Sequence, residues 1–160
     1  MLKTQDIQIK QHKDVETGIS HLSLQGLLSI DHTLVLNPET RTVSLLSDGP
    51  MLIVEQKLST NEMCLFVPIL ESFPHYCPYE VLLSHISTKT VTQASIERCR
   101  QRLREARDSG KMQQELRPIR RALSSLRNKL YRLDLGISNV RERGCSLIGL
   151  SAQSPEHRQL

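Results

Sequence analysis

The chain has 160 residues, 38% of them hydrophobic, with 21 Lys/Arg against 17 Asp/Glu and a formal net charge of +4. That length and apolar content suit one folded unit with short extensions. The sequence carries no signal-peptide pattern, and its longest apolar run, near Leu65 to Leu70, is far too short to span a bilayer; it excludes a helical membrane protein and points to the cytoplasm, with reduced thiols.

Residues 1 to 26 are polar and weakly patterned, which predicts a flexible or partly strand-forming arm. From Leu27 to Gln56 the stretches LLSID, HTLVLN, TRTVSLL and MLIVEQ alternate in β fashion between the turn formers NPET and SDGP, and predict an antiparallel sheet. At Leu58 the period becomes helical. Ser59 with Glu62 makes a capping box, Leu58 with Met63 a hydrophobic staple, and a helix is expected to run to about Ser72, bent near Pro68. Pro78 stands at the first position of a second, short helix through Val81, Leu82, Leu83 and Ile86. Thr90 and Gln93 offer another box, followed by the stripe Ile96, Cys99, Leu103, Ala106 and a stop at Gly110, which predicts a third helix at about 90 to 110.

A fourth helix begins at Glu115 or Pro118 and runs to about Asp134, with Lys129 and Arg132 near its negative end and Gly136 as the stop. Its apolar residues Leu116, Ile119, Leu123, Leu126 and Leu130 step by three and four and form one stripe. At 100° per residue, Arg117, Arg121, Ser124 and Asn128 lie opposite Ile119, with Ser125 and Arg132 nearby and Arg120 and Arg127 on the flank. No acid occurs between Pro118 and Leu133, whereas a face serving only solubility usually mixes signs. Residues 98 to 143 hold 14 Lys/Arg and 5 Asp/Glu, leaving 7 against 12 elsewhere, so the basic character belongs to one segment. Such asymmetry suits a polyanion, most often nucleic acid; a membrane surface is the weaker match because no bulky Trp or Phe anchors accompany the basic face. The strands GISNV and CSLIGL, joined by RERG, then predict a hairpin with a basic tip, and the tail 151 to 160 is expected to be disordered.

The four cysteines include no CxxC pair, and the group His75, Cys77, His85 lacks a second close pair, so no metal or cofactor is expected. No phosphate loop, metal-spaced cluster or activated nucleophile is visible, which argues against an enzyme. Five aromatics in total are too few for a platform on which single strands stack.

Several stretches resemble one family. LVLNPETRTVSL is similar to its N-terminal strand pair, LSTNEMCLFVPILESFP to its first helix (LTxxEfxLLxxLxxxP) and YEVLLSHI to its second (REqLlxxv). LSSLRNKL resembles the recognition-helix ending IxxLRxKL, and ISNVRERGCSLI the wing IxTVRGxGYxL. The family is the winged helix-turn-helix DNA-binding effector domain of response-regulator transcription factors, of the OmpR/PhoB type. The likeness covers roughly residues 28 to 150, with one long interruption, and its last two motifs are the specific ones. It implies an α+β fold over residues 27 to 150: an N-terminal antiparallel sheet, a three-helix core with one inserted helix, and a C-terminal β-hairpin wing.

It also implies a stand-alone transcription regulator that binds double-stranded DNA without catalysis. The helix at 117 to 133 would enter the major groove, and the wing at 137 to 149 would meet the adjacent minor groove or backbone. Carried over by position, Arg117, Arg120, Arg121, Ser124, Ser125, Arg127 and Asn128 become helix contacts, and Arg141 and Arg143 wing contacts. Arg121 and Asn128 suit base readout, Ser124 and Ser125 permit close approach, and Arg117 and Arg127 suit phosphates. Glu142 and Cys145 stand where the family usually has Gly and Tyr. The inserted helix occupies a loop that in relatives touches RNA polymerase; its Arg98, Arg100, Arg102, Arg104 and Arg107 would extend the DNA surface, contact that polymerase or another protein, or simply be solvated. Too few residues precede the sheet for a phosphoacceptor receiver, so no phosphorylation control is expected. The rival reading is a helical protein–protein adaptor whose 116 to 133 stripe is a coiled-coil seam; the two differ in that only DNA binding weakens steeply with salt.

Overall fold

The computed structural model describes residues 9 to 13, 18 to 24, 26 to 47 and 51 to 150; the expected disordered tail and half of the expected arm lie outside them. These residues form a mixed α+β structure that gathers into two compact units, the described residues of one falling within Met1–Leu58, Lys129–Gly136 and Ile148–Leu160 and those of the other within Ser59–Asn128 and Ile137–Leu147.

The first unit is built on a five-stranded antiparallel sheet whose order follows the chain: β1 (Ile9–Lys13), β2 (Ser20–Leu24), β3 (Thr33–Asn37), β4 (Thr42–Ser47) and β5 (Met51–Lys57). Strand alternation puts Leu22, Leu24, Leu34, Leu36, Val43 and Leu45 on its buried face, with Leu22 opposite Leu34 and Leu34 opposite Leu45. The NPET turn closes because Asn37 Oδ1 accepts the backbone N–H groups of Glu39 and Thr40, at 3.1 and 3.3 Å. The expected first strand at LLSID is absent. The N–H groups of Leu27 and Leu28 both turn back to the Leu24 carbonyl, and Ile30 is almost fully exposed, so its apolar side chain gives no strand a buried face. The strand that precedes β3 is instead β2, at positions where HLSL alternates.

The second unit is mostly helical. In α1 (Thr60–Ser72) the predicted box is formed: Glu62 N–H donates to Ser59 Oγ at 3.1 Å and Ser59 N–H to Glu62 Oε1 at 2.9 Å. Next come β6 (Cys77–Pro78), α2 (Tyr79–Ser87), α3 (Gln93–Asp108) and the single turn α4 (Met112–Glu115). Pro78 caps α2 from outside, one position earlier than expected, because its extended backbone pairs with Gly144. The box that opens α3 is Thr92 with Ser95 rather than Thr90 with Gln93. The buried Ser84 and Ser95 hydroxyls share a hydrogen bond at 2.7 Å, which ties α2 to α3, and Ser95 Oγ also lies 2.9 Å from the Thr92 carbonyl. At the other end of α3, Gly110 takes φ +71° and bonds Arg107 O, while Lys111 N–H bonds Ala106 O, a left-handed C-terminal cap of the expected kind.

α5 (Arg117–Tyr131) leads into the hairpin strands β7 (Leu135–Val140) and β8 (Gly144–Gly149), and β8 lies between β6 and β7 in a three-stranded sheet. Gly136 is not the stop of α5. The left-handed residue after the helix is Asp134, at φ +59°, and Gly136 belongs to β7. At Gly144 the sequence has no freedom: a Cβ there would lie 2.0 Å from the Cys77 carbonyl oxygen, so only glycine lets β6 and β8 approach.

Candidate functional site

The exposed side of α5 follows from what its other side buries. Leu116, Ile119, Leu123, Leu126 and Leu130 are at most 2% exposed, so the predicted stripe faces inward. Arg117, Arg120, Arg121, Ser124, Ser125 and Asn128 remain exposed on the other side. Arg117, Arg121 and Ser125 line one shallow hollow with Ser59 and Asn61; Arg117, Arg120, Arg121 and Ser124 line a second with Gln113. Arg120 donates to Gln113 Oε1, a neutral partner that leaves its charge in place. The buried carboxylate of Glu62 is the acidic residue in the lining of the first hollow, beside Arg117 and Arg121. The exposed face of the helix itself is a concentration of positive charge interleaved with short hydrogen-bonding groups.

Arg127 departs from this set. It is half-buried, with Nε donating to the Ile137 carbonyl at 3.1 Å and Nη2 to Asn139 Oδ1 at 2.7 Å. Both acceptors belong to β7, so the guanidinium braces the hairpin against α5. Asn139 Oδ1 also accepts the Cys145 thiol at 3.6 Å. Nothing in the sequence announces Asn139, because a polar residue in a half-exposed strand is ordinary and its partner lies 12 positions away.

At the hairpin tip Arg141, Glu142 and Arg143 are exposed. The turn closes through Arg143 N–H to the Val140 carbonyl at 2.9 Å, with Glu142 in the left-handed region at φ +59°. The Arg143 carbonyl accepts Tyr79 N–H at 2.9 Å, which fixes the turn beside the start of α2. Beneath it, Cys77 and Cys145 face each other across β6 and β8, and all four cysteines are free. Burial pushes the Cys77 and Cys145 thiols up to about 11, so both are protonated at neutral pH and are neither nucleophiles nor ready metal ligands. Burial likewise raises the Tyr79 phenol above its ordinary value.

The basic residues of α3 divide into two groups. Arg100 is paired with Glu97 and, at 3.4 Å, with Glu80, and Arg102 pairs with Glu115 at 2.7 Å. Arg107 Nη2 donates to the Glu142 carbonyl of the hairpin turn at 3.4 Å, a contact across 35 positions that the sequence does not suggest. Arg98 and Arg104 have no ion-pair partner among the described residues.

The chain is therefore a mixed α+β protein with a basic helical face and a basic hairpin tip, and among its described residues no helix is long and apolar enough to cross a membrane. Comparison with protein-family models, curated proteins and solved structures found no match.

Proposed function

We propose that this chain is a transcription-regulator domain of winged-helix type that binds double-stranded DNA in the cytoplasm. α5 lies in the major groove, and the β7–β8 hairpin reaches the adjacent minor groove or backbone. The observation that carries the reading is the pairing of a fully buried stripe on α5 with an exposed, acid-free face on its other side. A duplex accepts one helix in its major groove, where Arg takes guanine and Asn takes adenine through two hydrogen bonds each. Arg121 and Asn128 are seven residues apart, about 10.5 Å along the helix, and share one face. Ser124 and Ser125 lie between them with side chains short enough for the backbone to come close to the bases. Arg117 and Arg120 serve phosphates at the start of the helix, Arg141 and Arg143 do so from the hairpin, and Arg127 holds hairpin and helix in register. The rival use of the 116 to 133 stripe as a coiled-coil seam has little support, since Leu116, Ile119, Leu123 and Leu126 are already buried by the chain itself.

The test is selection of a preferred duplex from genomic fragments with the purified chain, then titration of variants. On the selected site Arg121→Ala and Asn128→Ala each weaken binding by about 1 to 3 kcal/mol with relaxed sequence preference, whereas Arg117→Ala weakens all duplexes alike. Unchanged sequence preference in both groove-face variants would reject this orientation of α5. Failure to bind any duplex at low salt would reject the function.

A further inference from the structure

A second basic feature lies away from the exposed face of α5. It is a cleft of about 290 Å3 between α3, the start of α2 and the hairpin turn, lined by Arg100, Arg104, Arg107 and Arg143 with Tyr76, Glu80 and Glu142 among its other walls. Arg100, Arg104 and Arg107 stand four and three residues apart and so project from one side of α3, an arrangement in which like charges repel and weaken a helix. The repulsion is only partly relieved inside the chain. Glu80 pairs with Arg100, and Arg107 has the neutral Glu142 carbonyl as its partner. The side chains of Arg104 and Arg143 have no ion-pair partner among the described residues. With Glu80 committed to Arg100, three guanidiniums from two elements therefore converge on one hollow against the single remaining carboxylate of its lining, that of Glu142. Guanidinium presents paired N–H donors that match the oxygens of a phosphoryl group.

We propose that this cleft binds a small phosphorylated molecule, with Arg104, Arg107 and Arg143 holding the phosphoryl oxygens and Tyr76, exposed at the rim, offering a ring for the body of the ligand. The volume fits a molecule no larger than a mononucleotide, since drug-sized ligands occupy pockets from about 300 Å3 upward. A duplex phosphate offers the same chemistry, and the experiment separates the two sources.

Pyrophosphate and ADP are titrated into the purified full chain by calorimetry at low salt, without DNA. The expected result is saturable binding at one site, weakened about tenfold or more by Arg104→Ala and by Arg143→Ala and unaltered by Arg117→Ala. These positions are exposed, and matching unfolding curves without ligand verify that the variants fold. Absence of saturable binding, or binding that Arg117→Ala weakens as much as Arg104→Ala, overturns the proposal. So does a variant Arg104→Ala that loses affinity for duplex DNA while the wild type ignores both phosphate probes, because the cleft would then be an extension of the DNA surface. Since the titration contains no DNA, a chain that binds ADP but no duplex retains this site and loses the function proposed above.

Discussion

Glu142 is the residue whose backbone conformation works against folding and whose charge works against a polyanion partner. At φ +59° a non-glycine side chain costs about 1 to 2 kcal/mol, of which glycine's greater freedom in the unfolded chain would return about 0.5 to 1 kcal/mol. Glu142→Gly is therefore expected to stabilise the protein by roughly 0.5 to 1 kcal/mol in denaturant unfolding. It also removes a carboxylate between Arg141 and Arg143, so duplex binding at low salt should tighten severalfold. Lower stability in this variant would show that the Glu142 side chain makes a compensating contact. The buried thiols make a second, separable case. With Cys77 and Cys145 at about 11 when folded, against an ordinary value near 9, the folded state keeps its protons longer than the unfolded one. Their stabilising effect is complete below pH 9 and is lost as pH rises from 9 toward 11, on the order of 2 kcal/mol per thiol. Under reducing conditions the double variant Cys77→Ala, Cys145→Ala should show a shallower fall in stability over that window than the wild type. Equal slopes would place both thiols in solvent reach.

α5 shows what a sequence reveals of an element and where it stops. The three-four spacing from Leu116 to Leu130 determines which side is buried, since every apolar residue of the stripe must leave water together, and the acid-free side could be read by subtraction. The Ser59 box, the Gly110 cap and the hairpin between GISNV and CSLIGL were legible for the same reason: each is decided by neighbours within a few residues. What eluded the sequence are contacts at long separation. LLSID carries strand-like residues, yet Gly26 at φ +90° turns the chain there and the pairing strand comes from upstream. Arg127 sits on the flank of the helix, and only the place of β7 decides whether it meets a phosphate or a carbonyl. Because its fork spans Ile137 O and Asn139 Oδ1, Arg127→Ala should cost about 1 to 3 kcal/mol of stability and speed amide exchange in β7. Arg127→Lys keeps the charge without the two-pronged geometry and should recover less than half. Full recovery by lysine would mean that charge alone is at work.

The distribution of charge over the chain sets how binding should respond to salt. Residues 98 to 143 carry 14 basic and 5 acidic side chains, and the rest of the chain is net acidic, so attraction to a polyanion is confined to one segment. Within that segment some cations are already engaged: Arg100 and Arg102 in ion pairs, and Arg127 in bracing β7. Counting basic residues would therefore overstate the contacts available to DNA. If Arg117, Arg120, Arg141 and Arg143 each neutralise one phosphate, about four counterions are released per bound chain, and log affinity should fall with log salt at a slope of about −3.6. Between 50 and 200 mM salt that is a loss of roughly a hundredfold, measurable by fluorescence anisotropy on any duplex. Arg117→Ala should make the slope shallower by about 0.9, and Arg141→Ala with Arg143→Ala by about twice that. A substitution that lowers affinity at every salt concentration while leaving the slope unchanged acts through base contacts, which is the behaviour required of Asn128→Ala. A wild-type slope near zero would mean that the acid-free face of α5 never meets a phosphate backbone, and the groove orientation proposed for it would have to be abandoned.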